Sequence, residues 1–128
     1  MRRTMAAVLA AGLLVSCSHG SSKDHGSVTA TGPASAQVAT LDMTDALLFQ
    51  PNVVVAKIGT LRLTATNTGR VPHNLVFNES RLGATDTISG GSSQTLTLPL
   101  SRVGSYTFTC TFHSGMSGRV AVMPTSHE

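Results

Sequence analysis

The chain has 128 residues, 12% of them charged, no tryptophan and a formal net charge of +3, which leaves room for one domain at most. Two of its nine basic residues, Arg2 and Arg3, lie in a segment expected to be removed. The other seven meet six acidic residues, so the mature chain is close to neutral, which argues against nucleic acid as a partner.

Residues 1–16 read as an export signal: Arg2 and Arg3 form a positive start, and residues 6–15 form an apolar run too short to span a bilayer. Leu14-Val15-Ser16-Cys17 resembles the lipobox of bacterial lipoproteins, in which signal peptidase cuts before the Cys and its sulfur takes up a diacylglycerol. The resemblance implies a lipid on Cys17 and a location on the extracytoplasmic face of a cell membrane. The plainer alternative is an ordinary signal with an incidental Cys17, although a free exposed thiol is a liability after export. Arg2 and Arg3 lack the surrounding residues of a twin-arginine signal.

Residues 17–35 show no apolar periodicity and are expected to form a flexible tether. His19 and His25 in this stretch, and His127 in the 125–128 tail, read as solvated histidines whose geometry nothing fixes. A disulfide between Cys17 and Cys110 is not expected, because it would tie the tether to the chain's best ligand cluster.

From residue 36 to 124 the pattern is period-two alternation broken by turn residues, which predicts short strands. Strands are expected at 37–43, 53–58 and 61–67; in the last, Leu61, Leu63 and Ala65 share one face. His73, Leu75 and Phe77 then share a face opposite Asn74 and Val76. Residues 79–93 read mainly as loop, with a short irregular strand around 85–88. Leu96, Leu98 and Leu100 alternate with polar residues or Pro99, and Tyr106, Phe108 and Cys110 alternate with Ser105, Thr107 and Thr109, which places Cys110 inward at a strand end. A last strand runs over 119–123 and stops at Pro124. About seven to eight strands with no helical stripe predict an all-β, Greek-key β-sandwich, expected to be monomeric.

The chemistry concentrates in Cys110-Thr111-Phe112-His113-Ser114-Gly115-Met116, which brings a thiol, an imidazole and a thioether onto one short loop. His73, in Val71-Pro72-His73-Asn74, is the candidate for a second imidazole. Two nitrogens, one thiolate and a weak axial thioether suit copper in an electron-transfer site better than they suit hard cations. Zinc fits less well, since its structural sites close a tetrahedron with a fourth strong ligand, and Met116 is not one. Each residue taken alone has a bland reading: Met116 and Cys110 as core, His73 as a loop histidine.

These features are similar to those of the cupredoxins, the small blue copper proteins related to plastocyanin and amicyanin. The likeness runs from about Leu48 to Met123, through Phe49-x-Pro51, Gly59, Asn67-x-Gly69, Pro72-His73-Asn74, Gly104-x-Tyr106-x-Phe108-x-Cys110, His113, Met116 and Gly118. It implies one copper ion held by His73, Cys110, His113 and Met116, with Asn74 tying the two ligand loops together. It also implies one-electron exchange with redox partner proteins that dock where His113 reaches the surface, near Gly69, Val71, Pro72, Phe112, Ser114 and Gly115. Two residues separate His113 from Met116, as in amicyanin. Phe112 departs from the family's usual Pro before the second His and retains a backbone N–H that Pro lacks.

A binuclear copper centre needs a second Cys in this loop, and multicopper enzymes need a His beside Cys110, where Thr109 and Thr111 stand. Catalysis on a substrate is therefore not expected. Two alternatives stay open at this point: a copper-binding protein for storage, delivery or resistance, and a metal-free structural lipoprotein domain.

Overall fold

The computed structural model describes residues 24–125. The export signal, Cys17, His19 and His127 lie outside the described residues. Among the described residues nine strands form two facing sheets: β1 Ser27–Thr29, β2 Gln37–Met43, β3 Phe49–Gln50, β4 Val53–Lys57, β5 Gly59–Asn67, β6 Val76–Phe77, β7 Ser93–Leu100, β8 Gly104–Thr109 and β9 Ser117–Met123. One sheet has the order β1-β4-β9-β8-β6, the other β3-β2-β5-β7. Both are mixed, with β1–β4, β4–β9 and β2–β5 parallel and the other pairs antiparallel.

Period-two alternation positions the core. Leu61, Leu63 and Ala65 on β5 face Leu98 and Leu100 of β7 and Leu41 of β2 across one sheet, while Val120, Val122 and Phe108 line the other; all are buried. Between the sheets Phe108 meets Phe49 and Phe77 edge to face, with centroids 4.9 and 5.5 Å apart. Such pairs add stability beyond the area they bury. Gly118 sits directly over this cluster, where any Cβ would strike the Phe108 ring and the Asn52 carbonyl at 2.5 Å. Only glycine lets β9 approach β8 and β4 so closely.

Three expectations need correction. The tether of 17–35 is too long: Ser27–Thr29 pairs with Val53–Val55, and Ala34–Ala36 forms a 3₁₀ turn, so the folded domain starts before residue 36. Val28 and Ala30 pack partly on the core, but a three-residue strand is too short to show a period. The strand expected through His73 shrinks to Val76–Phe77; ahead of it, His73 makes a single bridge to Ile88, its N–H donating at 3.2 Å and its carbonyl accepting at 2.7 Å. The irregular strand near 85–88 is likewise only isolated bridging, preceded by a 3₁₀ turn at Ser80–Leu82.

Register defines two poles. The C-terminal ends of β2, β5 and β8 and the N-terminal ends of β4 and β9 lie at one pole, with the loops carrying His73 and Cys110. The β7–β8 turn around Val103 lies at the other, where Tyr106 Oη donates to the Arg102 carbonyl at 2.8 Å and fastens the turn.

Candidate metal centre

Cys110 follows directly on β8, and that strand's inward alternation through Tyr106 and Phe108 carries it into the core, 4% exposed. The chain then turns back: Met116 N–H donates to the His113 carbonyl at 3.3 Å, and Cys110 N–H to the Met116 carbonyl at 3.0 Å, before β9 begins. Met116 is buried on this loop, and it lines the same concavity as Cys110 and His113. His73 arrives from the other ligand loop and is fully buried. One donor atom from each of His73, Cys110 and His113 lies within 4.8 Å of the other two. Cys110 Sγ is 3.9 Å from His73 Nδ1, and the two imidazoles meet edge to face at 5.0 Å.

Hydrogen bonds fix how each ring presents its nitrogens. His73 Nε2 donates to the Thr44 carbonyl at 3.0 Å, leaving the Nδ1 lone pair turned toward Cys110. Burial, followed by the neighbouring His113, lowers the His73 pKa against the opposing pull of Thr44 and Asp45, so the ring is neutral at pH 7 and ready to ligate. His113 Nε2 donates to the Pro72 carbonyl at 3.2 Å, which likewise leaves its Nδ1 free. The outer edge of His113 is thus half-exposed and leans on Pro72, less open than expected.

The loop before His73 is clamped from both sides. Inside, the Asn67 amide donates to the Val71 carbonyl at 2.7 Å and the Ile88 carbonyl at 2.9 Å, and its Oδ1 accepts from Gly69 N–H at 3.0 Å. Outside, Asp45 Oδ1 accepts from the N–H groups of Arg70 at 2.7 Å and Val71 at 3.0 Å. Gly69 is wedged between these contacts, since a Cβ there would collide with the Asp45 carboxylate. Nothing in the sequence marked Asp45 or Thr44, which act across 26 and 29 residues. The Asn67-x-Gly69 motif was the visible trace of the clamp.

The N–H groups of Val71 and Arg70 hold the Asp45 carboxyl below its ordinary value of 3.8. A depressed carboxyl contributes stability above its unfolded value and loses it as pH falls through the folded one. The stability difference between the wild-type chain and Asp45→Asn, measured by urea unfolding without metal, is therefore expected to hold steady above about pH 5 and to shrink in acid. A difference that does not change with pH would refute the clamp.

Asn74 joins the two ligand loops: its amide donates to Thr111 Oγ1 and its Oδ1 accepts from Thr111 N–H, both at 2.8 Å. Asn74→Ala should weaken metal retention about 10- to 100-fold, the usual effect of losing a contact that orients ligands. Transfer of copper to a chelator measures this, and an unchanged rate would mean the loops hold without the bridge. Phe112 is 51% exposed beside His113, ring centroids 6.4 Å apart. Phe112, His113, Pro72 and Thr87 line an apolar dent; Thr87 had no sequence signal. Among the other residues expected there, Ser114 and Gly115 are exposed, while Val71 and Gly69 are only partly so.

A β-sandwich of two mixed sheets with two imidazoles, a thiol and a thioether gathered at one pole defines a small soft-metal protein, and the donor set fits one copper ion. A family model described as a cupredoxin-like domain matches residues 5–122, and the chain belongs to that family. No curated protein matches it. Among solved structures, it resembles a copper binding protein in its apo form at 17% identity, covering 77% of this chain and 99% of that one with a TM-score of 0.65. Dithionite-reduced auracyanin from Roseiflexus castenholzii matches at 20% identity, over 73% and 100%, with a TM-score of 0.60. A proline-to-glycine variant of amicyanin, in its reduced Cu(I) form at pH 4, matches at 23% identity, over 73% and 86%, with a TM-score of 0.55. At these identities the likeness speaks for the fold.

Proposed function

We propose that this protein is a type 1 copper electron carrier, with copper held by His73, Cys110, His113 and Met116, and that a lipid on Cys17 keeps it on the extracytoplasmic face of a membrane. The observation that carries the reading is the arrangement of the donors: His73 Nδ1, Cys110 Sγ and one His113 nitrogen converge within 4.8 Å, over a loop that also buries Met116.

When bound, copper supplies the one-electron Cu(II)/Cu(I) couple. The chain's part is to keep the donors in place. Cys110 binds as thiolate, since a coordinated thiol is deprotonated. His73 is neutral and locked by Thr44, and the two ligand loops are joined through Asn74 and Thr111. Ligands that do not rearrange between oxidation states are what rapid electron exchange requires. The dent beside His113 offers an apolar contact through Phe112, Pro72 and Thr87, suited to the small, weak contacts of transient redox partners. Thr109 and Thr111 flank Cys110, which supports electron exchange over substrate turnover.

Voltammetry of the copper-loaded chain tests the role. A reversible one-electron wave with copper retained over repeated cycles fits a carrier. Ready transfer of Cu(I) to an acceptor protein, without a reversible wave, would replace this reading with copper delivery. For the anchor, Cys17→Ser should move the exported protein from the membrane fraction to the soluble one, and a mutant that stays on the membrane would contradict lipidation.

A further inference from the structure

The first described residues run along the metal end of the sandwich. Ser27 on β1 stands opposite Val53 on β4, which stands opposite Arg119 on β9, and these strands are parallel. Arg119 is two residues from Ser117, where β9 takes over from the ligand loop. Going back from Ser27 toward residue 24, the chain therefore rises toward the metal pole. It is fastened there: His25 N–H donates to Asn52 Oδ1 at 2.6 Å, and the Asp24 carboxylate takes both Arg119 nitrogens at 2.9 and 3.3 Å. β1 lies two strands from β9 in the sheet, so this exit is about 10 Å across from the start of β9 at ordinary strand spacing.

Seven residue steps separate Cys17 from Asp24, a reach of at most about 25 Å however the chain runs. The opposite pole, at Val103, lies beyond the six residues of β8, about 20 Å further from the exit. We propose that a lipid on Cys17 turns the metal pole, with Phe112, Pro72, Thr87 and His113, toward the bilayer, and that the redox partner is a protein seated in the same membrane whose electron-transfer centre opens near the membrane surface. This rests on the lipidation proposed above. A protein arriving from the aqueous side would meet the Val103 pole first, which carries no ligand.

The chain contains no tryptophan, so a single introduced one reports its own distance to the lipid headgroups. Phe112 and Val103 are 51% and 53% exposed, one at each pole. The full lipidated chain, metal-free and bound to vesicles with dansyl-labelled headgroups, is made as Phe112→Trp and as Val103→Trp, with exposed Thr87→Trp as a second variant for the metal pole. Energy transfer at least twofold stronger from the Phe112→Trp and Thr87→Trp proteins than from Val103→Trp is expected. Equal or reversed transfer in a vesicle-bound, lipidated chain overturns the orientation and leaves the lipoprotein reading standing. Vesicle binding that is absent, or unchanged by Cys17→Ser, overturns both.

The partner is tested with copper-loaded chain added to membranes of the cell that makes it. A flexible insert of about 28 Gly and Ser residues between Lys23 and Asp24 lengthens the tether fivefold. It should slow electron exchange with a membrane-seated partner about tenfold, as effective concentration falls with the three-halves power of tether length. An unchanged rate would show that exchange does not depend on the tether holding the metal pole beside the membrane, and would overturn that part of the proposal.

Discussion

Cys110→Ser is expected to abolish the blue colour of the copper-loaded chain and to lower copper affinity by more than about 100-fold, beyond the loss that follows removal of a merely supporting contact. The sulfur is the only soft anionic donor in the cluster formed by His73, Cys110 and His113. A serine hydroxyl is hard, stays protonated and gives no thiolate-to-copper charge transfer. The fold should survive. Cys110 is 4% exposed with its Sγ 3.9 Å from His73 Nδ1, too far for the shorter serine hydroxyl to bond, so the buried hydroxyl should cost roughly 1–3 kcal/mol of stability. Absorption of the loaded variant and urea unfolding of its metal-free form separate the two effects. A metal-free structural domain predicts a stability change alone, and a Cys110→Ser protein that still bound copper as tightly as the wild type would support that reading.

Phe108→Ala should do the reverse and damage the scaffold first. Its ring is fully buried and touches Phe49 and Phe77. Truncation leaves a cavity between the sheets and costs about 3–5 kcal/mol, against a total of about 5–15 kcal/mol for a typical domain. For a domain of this size that corresponds to a fall in Tm of at least about 12 °C without metal. Copper would favour the folded form, in which its ligands are brought together, and should recover part of the loss. Val38→Ala, at a position 49% exposed, is the contrast and should stay within about 0.5 kcal/mol. A Phe108→Ala domain that melts within a few degrees of the wild type would show that the aromatic cluster does not hold the sheets together.

What the sequence revealed depended on how far apart the cooperating residues lie. Alternation in β5, β7 and β8 announced the strands and placed Cys110 inward, because a period of two is a local property. The loop from Cys110 to Met116 showed its donors within seven residues, and His73 shared a face with Leu75 and Phe77. The role of Asn74 in tying the two ligand loops came with the family resemblance, while its partner Thr111 emerged only from the structure. By contrast, the Thr44 carbonyl that fixes the His73 ring, and the Asp45 carboxylate that clamps Arg70 and Val71, act through turns whose residues have no distinctive chemistry alone. β1 was missed for a related reason: three residues joined to β4 by backbone hydrogen bonds in parallel register carry no side-chain pattern. Thr87 joins Phe112 only because the His73–Ile88 bridge brings its loop alongside. Such placements follow from tertiary pairing and leave no periodic mark.

The most direct test of the metal centre is a titration of the purified, metal-free chain with Cu(II), followed by its visible spectrum. Ligation by His73, Cys110, His113 and Met116 gives an intense blue band that rises linearly and stops at one copper per chain. A protein that stays colourless and takes up no copper would contradict the copper site and the electron-carrier role built on it.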